Sequence, residues 1–288
     1  MNYNKLKISN LQLIILYIIF YVSLVFGFYY NENLTGGAIR DFNSYIQMLN
    51  LSSNDLSNFL DNFMNHDMDH SPFYFSFLGI FQNLFDNITF SVNEIDTKYD
   101  ISYVREYIDE YNFLRLIYLH VSCLIPFVFY ICLKEKYSSS EKNILYFISL
   151  FIFISPCFRS YSIWLGDLNL SLLFILLGVY FFLRLEKEKV FSKQLLFITL
   201  NVLFIAIASY IRPIYCLFSI YFFYSIFLKY NFSYHLILFS IVNLVLAFPA
   251  IYYVFIMDNV FFTVFNNFFI EPTLNLYSTN ILIISTLF

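Results

Sequence analysis

Apolar runs long enough to cross a bilayer recur seven times in this chain, and they constrain its fold more than any other feature. An α-helix needs roughly 20 residues to cross about 30 Å of hydrocarbon. The runs at 11–30, 111–133, 144–158, 168–183, 195–210, 214–228 and 235–257 meet or approach that length, the shorter ones by borrowing flanking aromatics. With 60% hydrophobic, 23% aromatic and only 12% charged residues among 288, the composition excludes a soluble domain with a wet surface. The expected fold is an all-α polytopic membrane protein with one membrane domain over 1–288.

The two ends of the chain need separate readings. Lys5 and Lys7 precede the first run as in a signal peptide, but its length and the lack of a small-residue cleavage site favour a retained anchor. An eighth run starts at Ile281 with eight residues left before Phe288, so the expectation is a C-terminally truncated chain.

Basic residues near span ends stay on the cytoplasmic side. With the N-terminus inside, Lys5, Lys7, Lys134, Lys136, Lys142, Arg184, Lys187, Lys189, Lys193 and Lys229 face the cytoplasm, ten of sixteen basic residues. Five fall outside and Arg115 lies within a span, where a long side chain is expected to snorkel outward. The expected topology therefore has its first large loop, 31–110, on the extracytoplasmic face.

That loop holds thirteen of the twenty acids and three basic residues. Phe42, Tyr45, Ile46, Leu49, Leu56, Phe59, Leu60 and Phe63 recur in it at helical spacing, and Ser52 and Asp55 are spaced like a capping box between two halves. The pattern predicts amphipathic juxtamembrane helices lying on the bilayer surface. A second apolar stretch, 73–85, is too short to span and is expected in the interface.

Several function classes lack their signatures. Cys123, Cys132, Cys157 and Cys216 all fall in or at the ends of spans, with no metal-ligand spacing, and read as packing residues. The chain has no glycine-rich nucleotide loop, no G-x-S-x-G and no internal repeat. Sequons at Asn33, Asn50 and Asn87 are expected by chance in a chain so rich in asparagine. No nucleic-acid partner is expected.

What remains are polar groups at the outer membrane boundary, where they are costly enough to need a reason. Asp41 follows Gly36 and Gly37 and opens the amphipathic segment. In HDMDHSPFYF, His66, Asp67, Asp69 and His70 precede Pro72. Asp167 stands at the outer start of the fourth span in SPCFRSYSIWLGDLNLSLLFILL, with Arg159 upstream, and Arg212–Pro213 in SYIRPIYCLF form the turn between the fifth and sixth spans.

The stretch from HSPFYFSFLGIF through FLRLIYLHVSCLIPFVFYICLK to SPCFRSYSIWLGDLNLSLLFILLGVYFFLR resembles the core of the GT-C glycosyltransferases, specifically the protein mannosyltransferase-like and RgtA/B/C/D-like group. The likeness covers roughly residues 31–215 and rests on the order of weak motifs. These are an acid soon after the first span, His-x-Pro before an interfacial helix, Arg-Leu at the second span, Ser-Pro then Asp beside the fourth, and Arg-Pro after the fifth. The resemblance implies a GT-C-like helical bundle. It also implies transfer of a sugar from a polyprenyl-phosphate donor to a glycan, lipid or protein acceptor at the extracytoplasmic face.

In such a reaction a carboxylate takes the proton of the attacking hydroxyl, and guanidinium groups meet the charge developing on the leaving lipid phosphate. On the resemblance, Asp41 and Asp167 are the catalytic acids, while Asp69, His70, Arg159 and Arg212 bind substrate. A single in-line displacement inverts the anomeric centre. The resemblance assigns no definite cofactor; a divalent ion held by His66 and Asp67 is an added option.

Each residue has a plainer reading. Asp41 and Asp167 also suit helix starts, where a carboxylate meets free N–H groups and the positive end of the dipole. His66 and His70, at i and i+4, also suit a wet loop, and Arg212 suits a lipid-headgroup anchor. The competing functions are a transporter or flippase of lipid-linked glycans, and an inactive truncated homologue. A transporter would carry charge deep in several spans, whereas these interiors are almost uncharged apart from Arg115. The resemblance and a bias toward Phe, Tyr, Asn, Ile and Lys point to a bacterial inner membrane, with the endoplasmic reticulum as the other setting.

Overall fold

The computed structural model describes residues 9–32, 42, 72–85, 88 and 102–255. Asp41, His66, Asp67, Asp69, His70, the surface helices expected over 42–63 (Phe42 apart) and the run from Ile281 lie outside these residues. Among the described residues the chain is all helix and turn, with no strand. The elements are α1 (Asn10–Tyr29), α2 (Pro72–Phe85), α3 (Ser102–Ser122), α4 (Leu124–Lys136), α5 (Lys142–Leu150), α6 (Pro156–Ile163), α7 (Asp167–Lys187), α8 (Phe191–Ile211), α9 (Leu217–Tyr230) and α10 (Tyr234–Phe255). Short 3₁₀ turns at Phe151–Ile154 and Pro213–Cys216 precede α6 and α9.

Among the described residues six helical stretches are long and apolar enough to cross a membrane: Asn10–Tyr29, Tyr111–Lys136, Asp167–Lys187, Phe191–Ile211, Pro213–Tyr230 and Tyr234–Tyr252. The protein is an integral, multi-pass helical membrane protein. The run at 144–158, expected as one span, is instead a broken pair, Lys142–Ile154 and Pro156–Ile163, bent by 65°. The break has a local cause. Pro156 has no N–H to continue a helix, and Ser155 turns its hydroxyl to accept from the Phe158 N–H at 3.4 Å, capping a new one.

Burial sorts the helices into a centre and a rim. Along α7, Leu170, Leu172, Ile175, Leu176, Val179 and Leu183 are all buried, and this helix packs against both α4 and α8. In α1 and α10 many large apolar side chains point outward instead, among them Ile14, Ile18 and Ile19, then Ile241, Leu244 and Val245, while Leu24, Phe28 and Phe239 face the core. A rim this apolar suits lipid rather than water, and polar side chains stitch the interior. Asn201 of α8 donates to the Gly178 carbonyl of α7 at 2.9 Å, and Asn169 donates to Ser162 Oγ at 2.8 Å and the Phe158 carbonyl at 3.0 Å.

Helix α2 differs from a helix that only floats in the interface. It is 14 residues long, too short to span, yet Tyr74, Phe75 and Leu78 are buried in the common core. Its aromatic face is thus committed to the bundle, across the end where α7 begins. At the opposite end Glu135 pairs with Arg184 at 3.4 Å and Lys187 at 3.3 Å, and Lys229 donates to the Glu186 carbonyl at 2.6 Å. Lys134, Lys136, Lys142, Lys189 and Lys193 are exposed at that end.

Candidate functional site at one end of the bundle

Two helix ends build the site, and both end in the same way. After α1 the backbone of Asn31 turns left-handed, at φ 50°, and the Glu32 N–H donates back to the Gly27 carbonyl at 2.7 Å while the Asn31 N–H reaches Phe28 at 3.1 Å. After α6, Leu165 turns left-handed at φ 57° and the Gly166 N–H donates to the Tyr161 carbonyl at 2.9 Å. The first has both bonds of a Schellman cap and the second its 6→1 bond, and each reverses the chain over the last helical turn. Asparagine tolerates that conformation; leucine does so at a cost of about 1–2 kcal/mol, so neighbours must hold it.

Those neighbours are aromatic hydroxyls and glycine gaps. Tyr74 of α2 donates to the Leu165 carbonyl, and Tyr118 of α3 donates to the Gly166 carbonyl while accepting the Leu170 N–H at 3.1 Å. A Cβ on Gly166 would sit 1.6 Å from the Tyr161 ring, so only glycine lets the turn close there. The turn delivers Asp167 as the first residue of α7.

Asp167 is buried and its carboxylate accepts two parallel bonds from Arg212, Nε to Oδ2 and Nη2 to Oδ1, each at 2.9 Å. Arg212 stands just past the end of α8, so the pair joins the start of one span to the end of the next. Its side chain is 33% exposed against 6% for Asp167, so the cation reaches the surface while the anion does not. Forked pairing of this kind fixes the guanidinium plane.

A second pair lies beside the α1 cap. Arg159 of α6 donates through Nε to Glu32 Oε1 at 2.8 Å, through Nη2 to Glu32 Oε2, and through Nη1 to Ser23 Oγ at 3.3 Å. The pair lies directly over α1, since a Cβ on Gly27 would fall 2.2 Å from Glu32 Oε2. The Trp164 indole N–H donates to the Glu32 carbonyl at 2.7 Å, locking the two caps together.

Arg115 occupies the space between them. It is fully buried rather than snorkelling, and donates to the Ile163 carbonyl at 3.0 Å, Asn112 Oδ1 at 2.7 Å and Asn31 Oδ1 at 3.0 Å. Its guanidinium lies 4.1 Å from the Trp164 ring centre, 5.0 Å from Phe28 and 5.7 Å from Phe42. Acceptors and ring faces from four segments replace the water that a snorkelling arginine seeks. Phe42, the residue after Asp41 in the sequence, is itself buried and meets Trp164 edge-on at 5.4 Å.

Of the residues singled out from sequence, the structure brings Asp167, Arg159 and Arg212 to this one end. Asp167 and Arg212, expected to act separately on a substrate, are partners of each other. Arg159 is bound to Glu32, which the sequence reading passed over although it is an acid two residues beyond the first span. Trp164, the chain's one tryptophan, and Tyr74 and Tyr118 were equally missed, because aromatics are everywhere in this sequence. Among the described residues no group of three His, Cys, Asp or Glu side chains is arranged to hold a metal. Compared with protein-family models, curated proteins and solved structures, the chain matches none. Its class therefore rests on its own helices and site.

Proposed function

We propose that the protein is a membrane glycosyltransferase of the GT-C type, moving a sugar from a polyprenyl-phosphate donor to a glycan, lipid or protein acceptor at the extracytoplasmic face. The observation that carries this reading is the Asp167–Arg212 pair. It presents a cation of fixed orientation at the end of the membrane spans, where a lipid phosphate would lie.

In this reading the acceptor hydroxyl attacks the anomeric carbon and gives its proton to Asp41. The bond from that carbon to the phosphate oxygen breaks, and the lipid phosphate leaves with the electron pair. Arg212 meets the growing phosphate charge, and Asp167 orients its plane. Both Asp167 oxygens are taken up by the Arg212 guanidinium, so Asp167 serves as the orienting group and Asp41 as the base. Asp69 and His70 contribute to donor or acceptor binding, and the basic end carrying Lys134, Lys136, Lys189 and Lys193 faces the cytoplasm.

The test is sugar transfer in membranes containing the full chain and supplied with polyprenyl-phosphate sugars, with lipid-linked and surface glycans read by mass spectrometry. Asp41→Asn is expected to lower transfer by roughly 10²–10⁴-fold, the usual worth of a positioned base. Undiminished transfer would remove the proposed base, and no change in any glycan on deleting the protein would remove the enzyme.

A further inference from the structure

One side chain two residues before Arg212 does something that neither the fold nor the proposed reaction requires. Helix α10 contains Pro249. A proline inside a helix has no N–H to donate, and its ring pushes away the preceding turn. In an unbroken helix the next N–H, that of Ala250, would donate to the Leu246 carbonyl. Here the Tyr210 hydroxyl bridges the two, donating to the Leu246 carbonyl at 2.6 Å and accepting the Ala250 N–H at 3.3 Å. Insertion of a polar group into the i→i−4 ladder is a recognised cause of helix kinks.

The surroundings leave the hydroxyl room to move. A cavity of about 110 Å³ opens beside it, lined by Ser209, Pro213, Cys216, Asn243 and Ala247 among others. Past the proline, Ile251 and Tyr252 are both exposed. The Tyr210 ring also lies 6.0 Å from that of Phe73 in α2, and its backbone leads straight into the Arg212 turn.

We infer that Tyr210 is a latch with two settings, coupling the Pro249 turn of α10 to the turn that carries Arg212. In the latched setting, the one in this structure, the hydroxyl bridges the Leu246 carbonyl and the Ala250 N–H. In the released setting the hydroxyl swings into the cavity, the Ala250 N–H donates directly to the Leu246 carbonyl, and the far turn of α10 pivots at Pro249. Both settings satisfy the two backbone groups. The exchange therefore breaks no covalent bond and leaves no buried backbone group unpaired, which is what a bistable element requires. The latch does not depend on the reaction proposed above.

The test uses the full chain in detergent micelles or nanodiscs and reads amide hydrogen exchange in peptides covering 244–252 and 209–216. Tyr210→Phe removes the latched setting, and is expected to change exchange by roughly two-fold or more in both 244–252 and 209–216. Pro249→Ala allows an unbroken ladder, and is expected to slow exchange in 244–252 and to alter it in 209–216. Adding Tyr210→Phe to Pro249→Ala is then expected to change 244–252 by less than about two-fold, because the hydroxyl is no longer in the ladder. Unchanged exchange in Tyr210→Phe, an equal change in both backgrounds, or a 209–216 segment indifferent to Pro249→Ala would overturn the latch.

Discussion

Replacing Arg212 with methionine should destabilise the protein more than replacing Asp167 with asparagine, although each breaks the same two bonds. The reason is the unequal burial of the partners. Asp167 is 6% exposed and Arg212 33%. Without the arginine, a buried carboxylate stays behind, and stranding a buried charge costs about 3–5 kcal/mol. The N-terminus of α7 returns about 1 kcal/mol of that to Asp167, leaving roughly 3. Without the aspartate charge, Arg212 is left partly in water and the asparagine oxygen still accepts one bond, so the loss is about 1–2 kcal/mol. The double variant strands neither charge and should cost little more than Asp167→Asn alone, giving a coupling of roughly 2 kcal/mol. Other contacts of Arg212 cancel in this cycle. The assay is built in: Trp164 is the one tryptophan, is fully buried, and lies three residues from Asp167. Its emission during denaturant unfolding of the purified protein reports on the site. If Asp167→Asn proves the more damaging change, or the two losses simply add, the pair does not hold this end of the bundle and the argument for an oriented Arg212 falls with it.

Other expectations follow from the same geometry. Gly166→Ala places a methyl group where the Tyr161 ring now stands, 1.6 Å away, so the turn must open; a loss of about 3 kcal/mol is expected in the same unfolding assay. Arg115→Lys keeps the charge but cannot reach the Ile163, Asn112 and Asn31 oxygens together; a loss of about 2–4 kcal/mol and a changed Trp164 emission are expected. Glu188 accepts the Val190 N–H at 3.0 Å and the Lys189 N–H at 2.9 Å, and these bonds hold its carboxyl below the usual glutamate range. A lowered folded value means the support is complete above the ordinary value of about 4.3 and fades as pH falls through the folded one. Amide exchange at Lys189 and Val190, corrected for intrinsic rates, should therefore lose protection in acid, and Glu188→Gln should remove that pH dependence.

How much of this was legible in the sequence can be judged residue by residue. The helices were, because bilayer thickness fixes how long an apolar run must be and the runs are plain. The break at Ser155–Pro156 was legible in principle, since proline after a capping serine is a local signal, but apolar residues on both sides masked it as one span. Arg115 misled for a different reason. Snorkelling is the default for a lone arginine in a span, and only the arrival of Asn31, from 84 residues away, and of the Ile163 carbonyl, from 48 away, supplies a dry alternative.

The sequence by itself determined the class, the place of six spans among the described residues, and which polar residues stand near a membrane boundary, because those follow from local hydrophobicity and chain direction. Tertiary structure alone decided who partners whom. Arg159 meets Glu32 across 127 residues and Arg212 meets Asp167 across 45. No local pattern encodes such pairings, since an ion pair depends on a few ångströms of separation between side chains, and that separation is set by how the caps of α1 and α6 turn and how the helices pack.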